Sequence, residues 1–189
     1  MLDYFHREFV PTSCTAVPGS ALDRAQGHLP DELQDLWRLQ GWCSYDEGRL
    51  VLVDPAEFTD VLADWGVSGL EGGHVFASNA FGDLFLWGNG TTWYLDIIHS
   101  QLHRLGIGML EFLEGFLCDG QMQQTVLRNQ LFLKAHAQLG PLPDDTVYTF
   151  VPLPALGGPG TVDSLKTGKI HEYLYLCAQV VAGALEVLE

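Results

Sequence analysis

The sequence predicts an α+β fold, in which an antiparallel sheet with flanking helices is followed by a mostly helical C-terminal part. Helical spacing of apolar residues occurs twice between residues 30 and 65, strand-like runs separated by turn residues fill 74–105, and helical composition returns after residue 106. Hydrophobic residues make up 47% of the 189 positions, which is enough for a real core and argues against disorder.

Two helices are predicted in the first half. Residues 30–40 carry acids in their first turn and apolar residues at helical spacing, and Gly41 is expected to end the helix. Residues 55–65 follow the same spacing, and we expect Asp54 to be the N-cap and Pro55 to take the first helical position.

The strands of the first half are predicted from short β-branched and aromatic runs. They lie at 48–55, 74–78, 83–87, 91–96 and, last, around 101–105. The Asn89-Gly90 pair between two apolar runs is a strong hairpin signal. Pro11–Gly19 contains two prolines and is expected to be a loop, while Phe81 and Trp87 are expected to be substantially buried.

The second half is predicted to be mostly helical. Its elements are a helix at 108–118, two helical pieces within 121–139, a strand at 147–151, a glycine-rich loop at 157–160 and a long helix over 165–187. The composition shift near Gly106 divides the chain into a first domain at 1–105 and a companion domain at 106–189.

Charge is the most informative bulk property. The chain has 24 acidic and 9 basic residues, and its net charge is -15. A protein this acidic repels nucleic acids and anionic membranes and attracts basic proteins. Nine of the acids lie within 31–64, where only Arg38 and Arg49 oppose them. The alternative reading is that the charge serves solubility alone.

The four cysteines are far apart and form no CxxC pair, so they are expected to be buried free thiols in a reducing compartment. The first residues are charged and lack the apolar run of a signal peptide, and no apolar stretch is long enough to span a membrane. We therefore expect a cytoplasmic protein.

Familiar catalytic motifs fail at specific positions. His171-Glu172 opens like a zinc-protease helix, but Tyr175 stands where the second histidine is required. Gly106-Ile107-Gly108 lacks the third glycine of a dinucleotide fingerprint, because residue 111 is Glu. The sequence therefore predicts no enzyme, no cofactor and no metal.

Two pairs of side chains are candidates for metal binding or for acid–base catalysis. His99 and His103 have ligand spacing on a helix, but in a strand-turn region they are expected to be ordinary turn histidines. Asp83 and Asp96 could be paired carboxylates, but we expect Asp83 to cap a turn and Asp96 to end a strand.

Several segments together resemble a known family. The first half resembles the GAD-like domain of bacterial immunity proteins, and the second half resembles its usual C-terminal companion. The segments that carry the resemblance are Leu29-Pro30-Asp31-Glu32-Leu33, Gly41-Trp42, Leu52-Val53-Asp54-Pro55, Phe81-Gly82-Asp83-Leu84 with Trp87, Leu139-Gly140-Pro141-Leu142, Val147-Tyr148-Thr149-Phe150 and Lys169-Ile170-His171-Glu172. One departure is Asp144-Asp145-Thr146-Val147-Tyr148-Thr149, where the family more often has a glycine after the tyrosine.

The resemblance implies a cytoplasmic antitoxin that neutralises a cognate type VI secretion toxin, commonly a DNase with a basic surface, and it implies no catalytic residues. The first half alone also resembles the SUKH-type immunity proteins. Two other classes stay open: an accessory module with a tRNA-related partner, as GAD domains proper are, and a small hydrolase that uses His171 or the His99/His103 pair.

Candidate partner-binding residues follow from the acidic segment and the glycine-rich loop. The expected steering face comprises Asp31, Asp46, Glu47, Asp54, Glu57, Asp60 and Asp64, and the loop contributes Gly157 and Gly158. Carboxylates on one face could enter the groove in which a nuclease binds phosphate and could speed the encounter.

Overall fold

The computed structural model of the protein describes residues 2–67, 70, 72–181 and 183–188. The strands are β1 (Pro11–Thr15), β2 (Trp42–Tyr45), β3 (Leu50–Leu52), β4 (His74–Asn79), β5 (Leu84–Gly88), β6 (Thr91–Asp96), β7 (Gln101–Arg104), β8 (Thr146–Phe150), β9 (Leu165–Lys169) and β10 (Glu186–Leu188). The helices are α1 (Asp3–Glu8), α2 (Gly19–Ala25), α3 (Asp31–Gln40), α4 (Thr59–Asp64), α5 (Met109–Glu111), α6 (Gly120–Thr125), α7 (Asn129–Leu139) and α8 (Ile170–Val180). A 3-10 turn over Pro55–Phe58 leads into α4, and a π-helical turn over Phe112–Phe116 extends α5.

The α+β prediction is confirmed. Within the described residues, eight strands form one sheet in the order β1-β2-β3-β4-β5-β6-β7-β10, and β8 pairs with β9 in a small second sheet. Neighbours from β1 to β7 are antiparallel, whereas β10 runs parallel to β7 with Glu186 opposite Gln101. The end of the chain therefore returns to the sheet that the first half builds.

The predicted caps of the first-half helices are confirmed. Gly41 ends α3 with a φ of 89°, a left-handed conformation that favours glycine. The Asp54 side chain accepts a hydrogen bond from the Ala56 amide at 3.0 Å, as an N-cap does. Pro55 then starts the turn that leads into α4, because its fixed φ suits the first helical position.

The large sheet is packed on both faces. One face holds the first core, in which α1, α3 and the π-helical turn after α5 place Phe5, Leu33 and Phe112 against Phe76 and Phe85 of the sheet. The other face holds the second core, whose main members are Val61, Trp65, Val75, Leu84, Leu86, Leu95, Tyr173 and Leu174, so α4 and α8 cover the middle strands. Each large side chain buried in this way contributes about 2 kcal/mol of hydrophobic stabilisation.

A third core joins the two halves of the sequence. Ala80 and Phe81, from the turn between β4 and β5, pack against Phe132 of α7 and against Tyr148 and Phe150 of β8. Phe81 is buried as predicted, whereas Trp87 is only partly buried. The predicted boundary near residue 105 lies between β7 and α5.

Two predictions of secondary structure are wrong. Pro11–Thr15 is the edge strand β1, not a loop, and all five of its side chains are exposed. No alternation of apolar residues marks such a strand, because only its backbone pairs with β2. The long helix over 165–187 is in fact β9, the shorter α8 and β10, because Leu165–Lys169 pairs with β8 and Glu186–Leu188 pairs with β7.

The expectation of four free thiols is also wrong. Cys14 of β1 and Cys43 of β2 form a disulfide across a directly opposed pair of strand positions. Their separation of 29 residues hides the pairing in the sequence, since only the antiparallel register brings the two Cβ atoms together. Cys118 and Cys177 are free.

Candidate partner-binding surface

Three of the predicted acids form an exposed stripe. Glu57 lies on the turn before α4, and Asp60 and Asp64 lie on α4 itself, at spacings of three and four residues. These spacings place the three carboxylates along one side of the helical segment, which we call the α4 stripe. None of the three is a partner in any side-chain hydrogen bond or ion pair with another described residue, so their charge is open to a partner.

Asp46, Glu47 and Asp54 have partners inside the protein. Asp46 makes a 2.7 Å ion pair with Arg49 and accepts a hydrogen bond from the Val10 amide at 3.1 Å. Glu47 pairs with His136 of α7. Asp54 caps the turn before α4 and lies 3.4 Å from Arg24. These three side chains stabilise local structure as well as adding charge.

The remaining predicted site residues are scattered. Asp31 is exposed in the first turn of α3. The amides of Gly157 and Gly158 both donate within their own loop, to the carbonyl oxygens of Pro154 and Leu153. A Cβ at Gly158 would lie 2.1 Å from the carbonyl oxygen of Pro152, so the glycine permits close backbone packing. The amides of Gly157 and Gly158 are therefore not free to cradle an anion.

A groove of about 370 Å³ opens beside the α4 stripe. Its floor is the outer face of β1, β2 and β3, and one wall is the segment at 142–146 from the second half. Asp54, Glu57, Asp144 and Asp145 line it, and no lysine or arginine is among the described residues around it. The predicted acids Asp54 and Glu57 thus meet two carboxylates that sequence reasoning did not select.

A buried charge cluster lies at the junction of the two halves. The Arg128 guanidinium contacts Asp83 at 2.9 Å and Asp96 at 3.1 Å. Asp83 also accepts hydrogen bonds from Asn79 and from the Tyr94 hydroxyl. Burial raises the pKa of Asp83 despite the opposing charge of Arg128. Burial also raises the pKa of Asp96, but Arg128 and hydrogen bonds from His99 outweigh it, and the net shift is downward.

The cluster has a structural role. Asp83 is fully buried, so no substrate reaches it, and the arginine fixes the turn before α7 against the sheet. Asp96 does end β6 as predicted, but Asp83 does more than cap a turn. Sequence reasoning did not select Arg128. The feature that could have drawn attention to it is that it is the single arginine after residue 104.

The histidines considered as metal ligands have other contacts. His99 Nδ1 lies 2.8 Å from Asp96, and the ring of His103 stacks on Tyr94 at 5.6 Å. The ring of His171 lies 4.7 Å from that of Phe58. Among the residues that the structure describes, no group of three or more potential ligands is placed to hold a metal ion.

To cross a membrane, a helix must be long and apolar. Within the described residues, no helix has the length and apolar character needed to do so.

Comparison with known families identifies both halves. Residues 1–101 match the family model of the GAD-like domain. The chain belongs to the GAD-like family. Residues 109–181 match the model for the C-terminal domain of the type VI secretion immunity protein Tdi1. This GAD-like protein therefore has the two-part organisation of a type VI secretion immunity protein, which confirms the resemblance noted in the sequence.

A solved structure shares the fold of this GAD-like protein. The crystal structure of Atu4351 from Agrobacterium tumefaciens aligns with a TM-score of 0.81, covering 97% of this chain and 90% of that chain. The two sequences are 19% identical, so the likeness concerns the fold alone. No curated protein matches the sequence significantly.

Proposed function

We propose that this GAD-like protein binds a cognate type VI secretion toxin with DNase activity and neutralises it in the cytoplasm by blocking the DNA-binding groove or active site. The immunity function follows from the family. The exposed α4 stripe, on a chain with a net charge of -15, is the observation that supports a nuclease as the target.

A nuclease must present a surface that binds its negatively charged substrate. An enzyme that binds the phosphate backbone needs a basic groove, and that groove attracts an acidic protein for the same reason. The carboxylates of Glu57, Asp60 and Asp64 form no ion pair with another residue that the structure describes, so they can approach such a groove without first breaking one. Inhibition then requires binding alone and no catalytic step by this protein.

Co-expression tests the proposal. A candidate toxin gene, taken from the genomic neighbourhood of this gene, is induced with the wild-type protein or with an empty vector. We expect survival and intact chromosomal DNA with the wild-type protein and degraded DNA with the empty vector. Equal killing with and without the wild-type protein would refute the immunity proposal, and killing without DNA cleavage would refute the nuclease assignment.

A purified system separates the two modes of blocking. The toxin is mixed with linear plasmid DNA and with increasing amounts of the immunity protein, and both cleavage and DNA binding are measured. Occupation of the DNA groove predicts that DNA binding and cleavage are lost together at equimolar protein. Loss of cleavage with DNA binding intact would instead indicate a block at the active site.

A further inference from the structure

We propose that the groove between the two halves is the docking site for an extended, lysine- or arginine-bearing segment of the toxin. This inference rests on the proposed function, because it names the place where the toxin is held. The floor and walls of the groove share only Glu57 with the α4 stripe, and Asp60 and Asp64 lie outside the groove.

The floor of the groove is an uncovered sheet face. The β4 to β7 part of that face is covered by α4 and α8, but its continuation over β1 to β3 carries no helix. Directly opposed residues in four neighbouring strands form one row across it: Ser13, Ser44, Val51 and Ser78. These small side chains keep the floor low. Ser78 is buried at the β4 end of the row, whereas Ser13 is exposed and Ser44 partly exposed, and these two offer hydroxyl groups to a segment lying on the floor.

The dimensions suit an extended chain. Three spacings of about 4.8 Å separate four strands, so the row is about 14 Å long, and about four extended residues span that length. Next to the row, Thr15 lies opposite Trp42, which also lines the groove. The face of an indole ring is a favourable contact for an arginine or lysine side chain.

The second half supplies a wall that is held firmly against the sheet. The Leu142 amide donates to the Glu47 carbonyl oxygen at 3.3 Å. A Cβ at Gly48 would lie 2.8 Å from the Leu142 Cβ, so this glycine lets the wall approach the β2–β3 turn. The groove is therefore a composite feature that forms only when the two halves are docked.

The charges of the walls select the occupant. Glu57 stands on the first-half side, and Asp144 and Asp145 stand on the second-half side. No side-chain hydrogen bond or ion pair links any of these three to another described residue. A second copy of this chain would bring a further charge of -15, so self-association through the groove is opposed by repulsion. A basic segment of another protein is the complementary partner.

Paired variants test the groove directly. Glu57→Lys/Asp144→Lys reverses one carboxylate on each side, and the control Glu111→Lys/Asp163→Lys makes the same change in net charge at exposed positions that do not line it. Binding to a catalytically inactive form of the cognate toxin is measured by surface plasmon resonance. We expect the groove variant to raise Kd about 100-fold more than the control, mainly through faster dissociation.

A second variant pair leaves the charge unchanged. Ser13→Trp fills the floor from the edge strand, and Gln121→Trp adds the same bulk at an exposed site on α6. Circular dichroism and thermal melting show whether each variant keeps its fold. We expect only Ser13→Trp to weaken toxin binding. Hydrogen exchange of the wild-type complex should show slower exchange in β1, β2 and 142–146.

The outcomes separate the two proposals. If the wild-type protein binds the toxin but the folded groove variants bind as tightly as their controls, the groove is not the docking site and the immunity function stands. If the wild-type protein does not bind the toxin at all, the proposed function fails and the docking proposal fails with it.

Discussion

The guanidinium of Arg128, on the segment between α6 and α7, lies 2.9 Å from the Oδ2 atom of Asp83, whose side chain is fully buried. The pair joins the two family-matched parts of the chain, since Asp83 belongs to the first and Arg128 to the second. Two buried carboxylates share this one arginine, so its removal should be costly.

Replacing the arginine should destabilise the fold strongly. Arg128→Met leaves Asp83 and Asp96 buried without their cation, and we expect the free energy of unfolding to fall by about 3–5 kcal/mol. Urea denaturation followed by tryptophan fluorescence measures the change. Arg104→Met, at an exposed position of β7, is the control and should change stability by less than about 0.5 kcal/mol. Similar values for both variants would contradict a stabilising role for the cluster.

The same variant should change how stability depends on pH. In the wild-type protein the pKa of Asp96 lies below its unfolded value of 3.8, so the stability it adds is present above that pH and is lost as the pH falls further. Without Arg128 the pKa of both buried carboxylates should rise, and protonation then favours the folded form. The stability deficit of Arg128→Met should therefore be smaller at about pH 5 than at about pH 7. A constant deficit would argue against this explanation.

The disulfide should stabilise the edge of the sheet. Cys14 and Cys43 close a loop with a sequence separation of 29, for which chain entropy gives about 3–4 kcal/mol. We expect dithiothreitol to lower the melting temperature of the wild-type protein. Cys14→Ser should already melt at the lower temperature and should not respond to the reductant. A response of equal size in both proteins would show that reduction acts elsewhere.

The α4 stripe should govern the rate of association with the toxin. Exposed charges are screened within about 8 Å at physiological ionic strength, so association of the wild-type protein should slow with added salt. Asp60→Lys/Asp64→Lys should associate roughly tenfold more slowly at low salt and show a weaker salt dependence, while its dissociation rate changes little. Stopped-flow mixing at several salt concentrations measures both rates. A flat salt response of the wild-type protein would leave solubility as the role of these acids.

Gly158 should be intolerant of a side chain. A methyl group there would lie 2.1 Å from the Pro152 carbonyl oxygen, which the backbone cannot accommodate without moving. We expect Gly158→Ala to destabilise the protein by about 2 kcal/mol or more. Gly157→Ala faces open space and loses only the benefit of glycine at a φ of 83°, so its cost should be about 1 kcal/mol. Thermal melting compares the two, and equal costs would contradict the packing argument.

The elements predicted correctly are those whose signal is local. The helical spacing and caps of 31–40 depend on residues within one or two turns of each other, and the strands from His74 to Asp96 are continuous apolar runs with glycine turns. The acids of the α4 stripe were also predicted, because charge is a property of composition. Their placement on one side of a helix follows from the spacing alone.

The elements that the sequence did not predict depend on pairing between distant parts of the chain. β1 carries exposed polar side chains, and β10 is a three-residue strand at the end of the chain, so only their hydrogen bonds to β2 and β7 define them. The disulfide depends on the register of β1 and β2, and the groove depends on Leu142 reaching Gly48 across 94 residues of sequence. By itself the sequence determined the fold class, the family and the acidic character, because each is carried by local pattern or composition. Only the tertiary structure decided which acids meet in one groove and which are held by an arginine or histidine, because those contacts join residues that no local pattern relates.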